Sequence, residues 1–281
     1  TVTGRGFRPR QFDLGRARYL GGAAILINFF VILLVPTAAL LWLSLMPFTQ
    51  SISMRGMHLL TLENFRTVVH SAFYLDLVWQ TLFMSAGAAT GVMALTIVSG
   101  WLAVRRRPGA WLLDQLATAP LIFPGIVLGV AMIQIYLAMP IAIYGTLSAF
   151  IVAFVIRYLP FGMRYSSTGI LQIHPELEEA AAVAGSSLAT VLRRIVVPLA
   201  TPAILAGWLF VFLIAARDLS MAVILASPSA QPVSVAMYDL WANGQATELS
   251  AFGLVWTAIM TVIAAGFYLI GRGSAASALR V

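Results

Sequence analysis

Long uncharged runs alternate with short polar ones along the whole chain. Residues 19–54 carry no charge, and neither do residues 115–156. A helix needs ~20 apolar residues to cross the hydrocarbon of a bilayer. The first run therefore predicts a span near residues 22–46, and the stretch 77–104 predicts a second. The run 115–156 is too long for one helix. Met139-Pro140 and Tyr144-Gly145 divide it into a third span near 111–138 and a fourth near 143–161. Pro120 and Pro124 should kink the third span, with neighbouring helices satisfying the freed carbonyls. A fifth span is expected near 201–226 and a sixth near 249–271. Residues 47–76 mix Arg55, His58, Glu63, Arg66 and His70 with apolar positions, which reads as a loop with a short helix from Thr61 or Leu62. Arg105-Arg106-Arg107-Pro108-Gly109 reads as a tight basic turn. Residues 227–248 read as a second loop, with a short helix over 233–242. The fold class is all-α integral membrane with six transmembrane helices.

Composition sharpens this. Of 281 residues, 60% are hydrophobic and 10% charged, against about 25% charged in a soluble domain. Cysteine is absent, so disulfides and thiolate metal sites are excluded. Every basic residue other than histidine is arginine. Without lysine the chain cannot hold a Walker A phosphate loop, so any ATP-driven process needs an ATPase on another polypeptide. The net charge of +7 comes from arginines at span edges, not from a basic patch interleaved with aromatics, so nucleic acid is not a partner. Six spans put both termini on one side. Of the 17 arginines, 13 fall on that side with the Arg105 turn and the Glu179 loop, Arg55 and Arg66 fall on the other, and Arg157 and Arg217 fall within spans. Positive charge is retained in the cytoplasm. This places both termini and the Glu179 loop there, in a multi-pass protein of the cell membrane.

One polar stretch interrupts the apolar pattern, PELEEAAAVAGSSLATVLRRIVVP from Pro175 to Pro198. It reads as two short helices joined at a glycine. Pro175 suits a first helical position, where its missing N–H would have no partner anyway. Glu176, Glu178 and Glu179 crowd the first turn, where the helix dipole favours negative charge. Gly185 can end that helix in the left-handed conformation, and Ser186 or Ser187 can cap the next. Leu188, Val191, Leu192 and Ile195 recur at helical spacing, and Pro198 and Pro202 are expected to stop the second helix. Such a knob on a membrane surface can dock a soluble partner.

Glu179, Ala180, Ala181, Gly185, Ile195 and Pro198 stand at the spacing of the EAA loop, and the chain resembles the permease subunits of type I, binding-protein-dependent ABC importers. Ala184 and Val197 depart from that pattern, where aspartate and leucine are usual, and neither removes the glycine turn. The resemblance implies a coupling loop at residues 163–201 within a six-span domain at 19–281. It implies two ABC ATPase subunits as partners, a second permease subunit or half, and an external substrate-binding protein. ATP and magnesium would be bound by the ATPases, with no cofactor in this chain. The basic segment 1–18 is similar to the linker between the halves of double-length ferric-iron permeases; a cytoplasmic tail is the alternative. The stretch around Arg217-Asp218-Leu219-Ser220 resembles the Arg-Glu-Leu-Ser segment of the same group. The resemblance is to the ferric-iron, thiamine and phosphonate permeases more than to the sugar or amino-acid ones. It implies a path for ferric iron or another small anionic or chelated solute, and no catalysis by this chain.

Two readings of Arg217, Asp218 and Ser220 stand side by side. Charge within a span costs about 2.5–3.5 kcal/mol on insertion scales and usually faces a cavity or the bundle interior. These residues either line the translocation path, or Arg217 and Asp218 form an internal pair that fixes helix position, with snorkelling to the interface as a variant. Arg157 reads as a snorkelling residue near the cytoplasmic end of the fourth span. His58 and His70 lack the further ligands a metal site needs. Gly87 and Gly91 read as helix-packing positions. An ion- or proton-coupled secondary transporter is the rival function; it would need intramembrane carboxylates, of which Asp218 is the only candidate, and it leaves the Glu179 loop unexplained. An intramembrane enzyme is a third class, with no carboxylate pair, Ser-His pair or metal cluster in the spans to support it.

Overall fold

The computed structural model describes Gly15 and residues 17–54 and 56–278, with side chains described as far as residue 269. Most of segment 1–18, Arg55 and Arg280 therefore lie outside the described residues. Helices dominate. Among the described residues the β pairing is a single bridge, Ser227 to Ala230. Among the described residues five helices are long and apolar enough to cross a membrane, or six if one bent pair counts as a single span. The five are α1 (Ala17–Ser44), α3 (Ala72–Val104), α6 (Leu147–Leu171), α8 (Leu188–Ala215) and α11, whose described membrane-length part is Ala246–Leu269. Between them lie α2 (Glu63–His70), α4 (Ala110–Thr118), α5 (Gly125–Ala138), α7 (Glu176–Val183), α9 (Ala222–Leu225) and α10 (Val233–Ala242). The short helices expected at Thr61–Leu62 and 233–242 are α2 and α10.

The core is a three-helix contact of α3, α6 and α8. Met84, Ala88, Val92 and Met93 meet Phe150, Phe154 and Tyr158 and then Val211 and Phe212 in one buried cluster. In a bilayer there is no hydrophobic drive between helices, so close packing of small residues has to hold them. Glycine supplies that closeness. A Cβ on Gly87 would lie 2.8 Å from Ile151 Cδ1, and one on Gly91 would lie 2.7 Å from Val155 Cγ2. The buried hydroxyls of Thr96 and Ser166, 3.1 Å apart, bridge the same two helices. Gly162 is tighter still: an added Cβ would sit 2.3 Å from Val92 Cγ1 and 2.8 Å from Thr96 Oγ1. Gly162→Ala should therefore cost about 1–3 kcal/mol by overpacking, visible as a lower thermal midpoint of the solubilised protein. An unchanged midpoint would mean that α3 and α6 do not touch there.

Several expected boundaries shift, each for a physical reason. The fifth span does not begin at 201. Leu188 to Ala215 is one continuous helical rod, so Pro198 and Pro202 do not stop the second helix of the polar stretch. Proline lacks an N–H and its ring clashes with the carbonyl four residues back. Just before Pro198 the helix widens into a π turn, Leu192–Val196, which relieves that clash without ending the helix. The first span uses the same device, with a π turn at Phe30–Leu34 directly before Pro36. The fourth span runs past 161 to Leu171 and carries Pro160 within it. Thr146 caps its start, accepting from Ala149 N at 3.4 Å. The third span is not merely kinked. α4 ends in a 3-10 turn, Ala119–Ile122, and α5 leaves it at 111°. Pro120 and Pro124 flank this break, and Phe123 and Pro124 are extended or non-helical.

Candidate functional site

Two regions bring the expected site residues together, at opposite ends of α8. The first is the polar knob. Pro175 stands at the N-cap of α7, with Glu176, Glu178 and Glu179 in its first turn. Gly185 adopts φ +78°. Its N–H donates to Ala182 O at 3.0 Å, and Ser186 N donates to Ala181 O at 3.0 Å. That is the paired bonding of a glycine-terminated helix. Ser187, not Ser186, caps α8, accepting from Thr190 N at 3.4 Å.

The three glutamates separate by environment. Glu178 is held inward: Arg105 donates to its Oε1 from Nη2 at 2.6 Å and from Nε at 3.0 Å, and Trp101 Nε1 donates to its Oε2 at 2.9 Å. Arg105 Nη2 also donates to Ile173 O at 3.0 Å, and the Arg107 guanidinium lies 5.3 Å from the Trp101 ring centroid. The turn that aims these groups is strained. Arg106 occupies the left-handed region at φ +50°, where glycine is the usual residue. Glu179 is left exposed, as are Ala180, Gly185 and Pro198, whereas Ala181 and Ile195 are half-buried against the Trp101, Ile170 and Val196 cluster. Leu177, Val183 and Leu188 add exposed apolar surface, with Val183 90% exposed. The tether through Glu178 was not legible in the sequence, because Arg105 and Glu178 are far apart along the chain.

The second region is a cleft of about 480 Å³ where the α4–α5 break meets the end of α8. Pro120 and Phe123 line one side, and Arg157, Arg217, Asp218 and Ser220 the other. Here two expectations are corrected. Asp218 does not pair with Arg217. Its partner is Arg157, whose Nε lies 2.7 Å from Asp218 Oδ2, in ion-pair contact though off the line of a hydrogen bond. The Tyr158 hydroxyl donates to the same Oδ2, and Met221 N donates to Oδ1 at 2.9 Å. The second correction concerns depth. Arg157 is not at the Arg105 end of its span, for α6 begins at Leu147 and ends at Leu171. At 1.5 Å per residue Arg157 sits about 15 Å from the helix start, near mid-span. Arg217 follows the end of α8 and is exposed, with no hydrogen bond or ion pair among the described residues.

Known proteins resemble the chain in both sequence and fold, although no family model matches it. The putrescine transport system permease protein PotI of Escherichia coli K12 is 26% identical over 199 residues, 68% of this chain and 71% of PotI. The ferric transport system permease protein FbpB of Actinobacillus pleuropneumoniae is 30% identical over 210 residues, 73% of this chain, which spans only 30% of FbpB. Among solved structures, a chain of a bacterial ABC transporter that imports the acidic polysaccharide alginate superposes with a TM-score of 0.72 at 15% identity, over 92% of this chain and 96% of that one. A chain of the MetNI methionine ABC transporter gives 0.59 at 20% identity, over 71% and 94%. In sequence and in fold the chain is similar to the permease subunits of ABC importers.

The permease is therefore a multi-pass membrane transport subunit and not itself an enzyme. The ion-coupled transporter and the intramembrane enzyme are set aside. A ferric-type permease is among the relatives, as expected, and polyamine permeases match as well. His58 and His70 play no part in either region. His58 is exposed, and His70 Nδ1 lies 3.1 Å from Arg66 O within its own helix.

Proposed function

We infer that the permease lines the translocation path of an ATP-driven importer and couples it to a cytoplasmic ATPase through the α7–Gly185–α8 knob. One observation carries this reading. The exposed knob continues without a break into α8, and α8 ends at the Arg157–Asp218 cleft. At 1.5 Å per residue the 28 residues of α8 make a rod about 42 Å long. A push on the knob therefore moves the cleft. The Glu178–Arg105 and Trp101 bonds tie the same knob to the end of α3, so α3 and α8 move together. In this reading Glu179, Gly185 and the apolar tips of the knob sit in a groove on the ATPase. Two ATPases face two permease subunits or halves, and ATP-driven closure draws the knobs together and opens the path to an external binding protein. Hydrolysis reverses the motion. Both termini lie in the cytoplasm. Ferric iron, or another small anionic or chelated solute, is the cargo; Arg217, Asp218 and Ser220 line its way.

The absence of cysteine makes topology simple to test. Single cysteines at Ser51 and Gln231 should react with an impermeant maleimide in intact cells, and one at Ser186 only after lysis. Adding the ATPase should then protect Ser186→Cys. Labelling of that site from outside would invert the orientation and remove the docking surface from the ATPase.

A further inference from the structure

The cleft is asymmetric in its hydrogen-bonding capacity. Its charged side chains are Arg157, Arg217 and Asp218, two positive charges and one negative. The negative one is already committed: Asp218 Oδ2 faces Arg157 and Tyr158, and Oδ1 accepts from Met221 N. With the side chain 4% exposed and both oxygens engaged, the carboxylate presents little to an ammonium group or a bare metal cation. The donors are in surplus. Of the five N–H donors of Arg157 the ion pair to Asp218 engages the one on Nε, and Arg217 has no hydrogen bond or ion pair among the described residues. Arg157 reaches the α4–α5 break because residue 125 is glycine. A Cβ there would lie 2.2 Å from Nη1 and 2.6 Å from Nη2. A guanidinium presents a planar fork that matches two oxygens of a carboxylate or phosphate.

We propose that the cleft is an oxyanion subsite, in which Arg157 and Arg217 together grip a carboxylate- or phosphate-bearing solute while Asp218 holds Arg157 in place. The proposal rests on the path reading above and narrows it. The positive surplus of the cleft disfavours polyamines and free trivalent iron, although polyamine permeases are among the relatives. Iron would pass only inside a chelate of net negative charge. Arg157, read from sequence as an interfacial residue, becomes the central binding group, and Gly125 is the position that admits it.

Ser220 lines the cleft and is exposed, so Ser220→Cys is a near-isosteric reporter in a chain without other thiols. In the assembled complex its reaction rates with an anionic, a cationic and a neutral methanethiosulfonate can be compared, each normalised to free cysteine. A net positive, partly dry cleft should favour the anionic over the cationic reagent by about tenfold. Arg157→Gln and Arg217→Gln should each reduce that preference, and Arg217→Glu should reverse it. Citrate or inorganic phosphate should slow labelling, whereas putrescine should not. Labelling without sign preference, or protection by putrescine alone, would overturn the oxyanion subsite and leave the path reading standing. No reaction with the neutral reagent would show Ser220 to be inaccessible and would remove the path reading, and this proposal with it.

Discussion

Gly185→Leu should abolish substrate uptake while the partner ATPase, if it still binds, continues to hydrolyse ATP. Gly185 sits at φ +78° with nothing within 4 Å of where a Cβ would be. The damage is therefore conformational at first. A residue with a β-carbon pays about 1–2 kcal/mol in the left-handed region, and the chain can escape that cost by reopening the turn. Reopening it breaks the bonds from Gly185 N to Ala182 O and from Ser186 N to Ala181 O. The angle between α7 and α8 is then no longer fixed, and motion of the knob no longer reaches the rod. Leucine bulk in the docking groove adds to the effect. Asparagine tolerates the left-handed region better than other non-glycine residues, so Gly185→Asn should keep most uptake. Glu179→Ala should weaken coupling in the same direction by less, because it removes one exposed contact and leaves the turn intact. The measurement is ATP hydrolysis beside uptake in proteoliposomes. Normal uptake by Gly185→Leu would falsify the coupling role of the knob.

The knob was legible because it is local. Its helix start, glycine turn and serine cap are each set by residues within a few positions, and the structure places Pro175, Gly185 and Ser187 accordingly. Five of the six spans were legible for a similar reason, since hydrocarbon thickness sets a length that their apolar runs meet, whereas the third is the bent α4–α5 pair. Span boundaries were less so where proline was read as a stop. A π turn before Pro198 costs the chain little and lets the helix continue, and nothing in the local pattern announces it. The pairing of Asp218 was not legible at all. Arg217 is its neighbour in sequence, but in a turn after a helix consecutive side chains diverge. The true partner, Arg157, is brought across by the packing of α6 on α8. Gly125, the contact that makes room for it, reads in sequence as one more small residue in an apolar helix. What the sequence does show is that both arginines are costly in a span and so call for a partner or a cavity. Arg157 proves to have the partner and Arg217 the cavity.

Asp218→Asn alone should sharply lower the yield and thermal midpoint of the complex. The carboxylate is 4% exposed and its Arg157 partner 21% exposed. Removing one member of such a buried pair leaves the other charge uncompensated, at a cost of about 3–5 kcal/mol. An asparagine in place of the aspartate can still accept from Tyr158 or Met221 N, so the loss is chiefly that of the charge facing Arg157. Arg157→Met alone should be costly for the mirror reason, with a carboxylate left among apolar neighbours. The double variant, Arg157→Met with Asp218→Asn, removes both charges and keeps the side-chain volume, and such replacements are often neutral. It should recover most of the yield. It should not recover uptake, because the guanidinium that grips the solute is gone. Arg217→Ala behaves differently. Its side chain has no partner to strand, so yield and midpoint should hold while uptake falls. Arg217→Lys should rescue uptake only in part, since lysine keeps the charge but loses the fork. The deciding data are yield, midpoint and uptake for these variants side by side. If Arg217→Ala lowered the yield as far as Asp218→Asn does, and Arg157→Met left it untouched, Asp218 would be paired with its sequence neighbour and the cleft would have to be rebuilt around that pair.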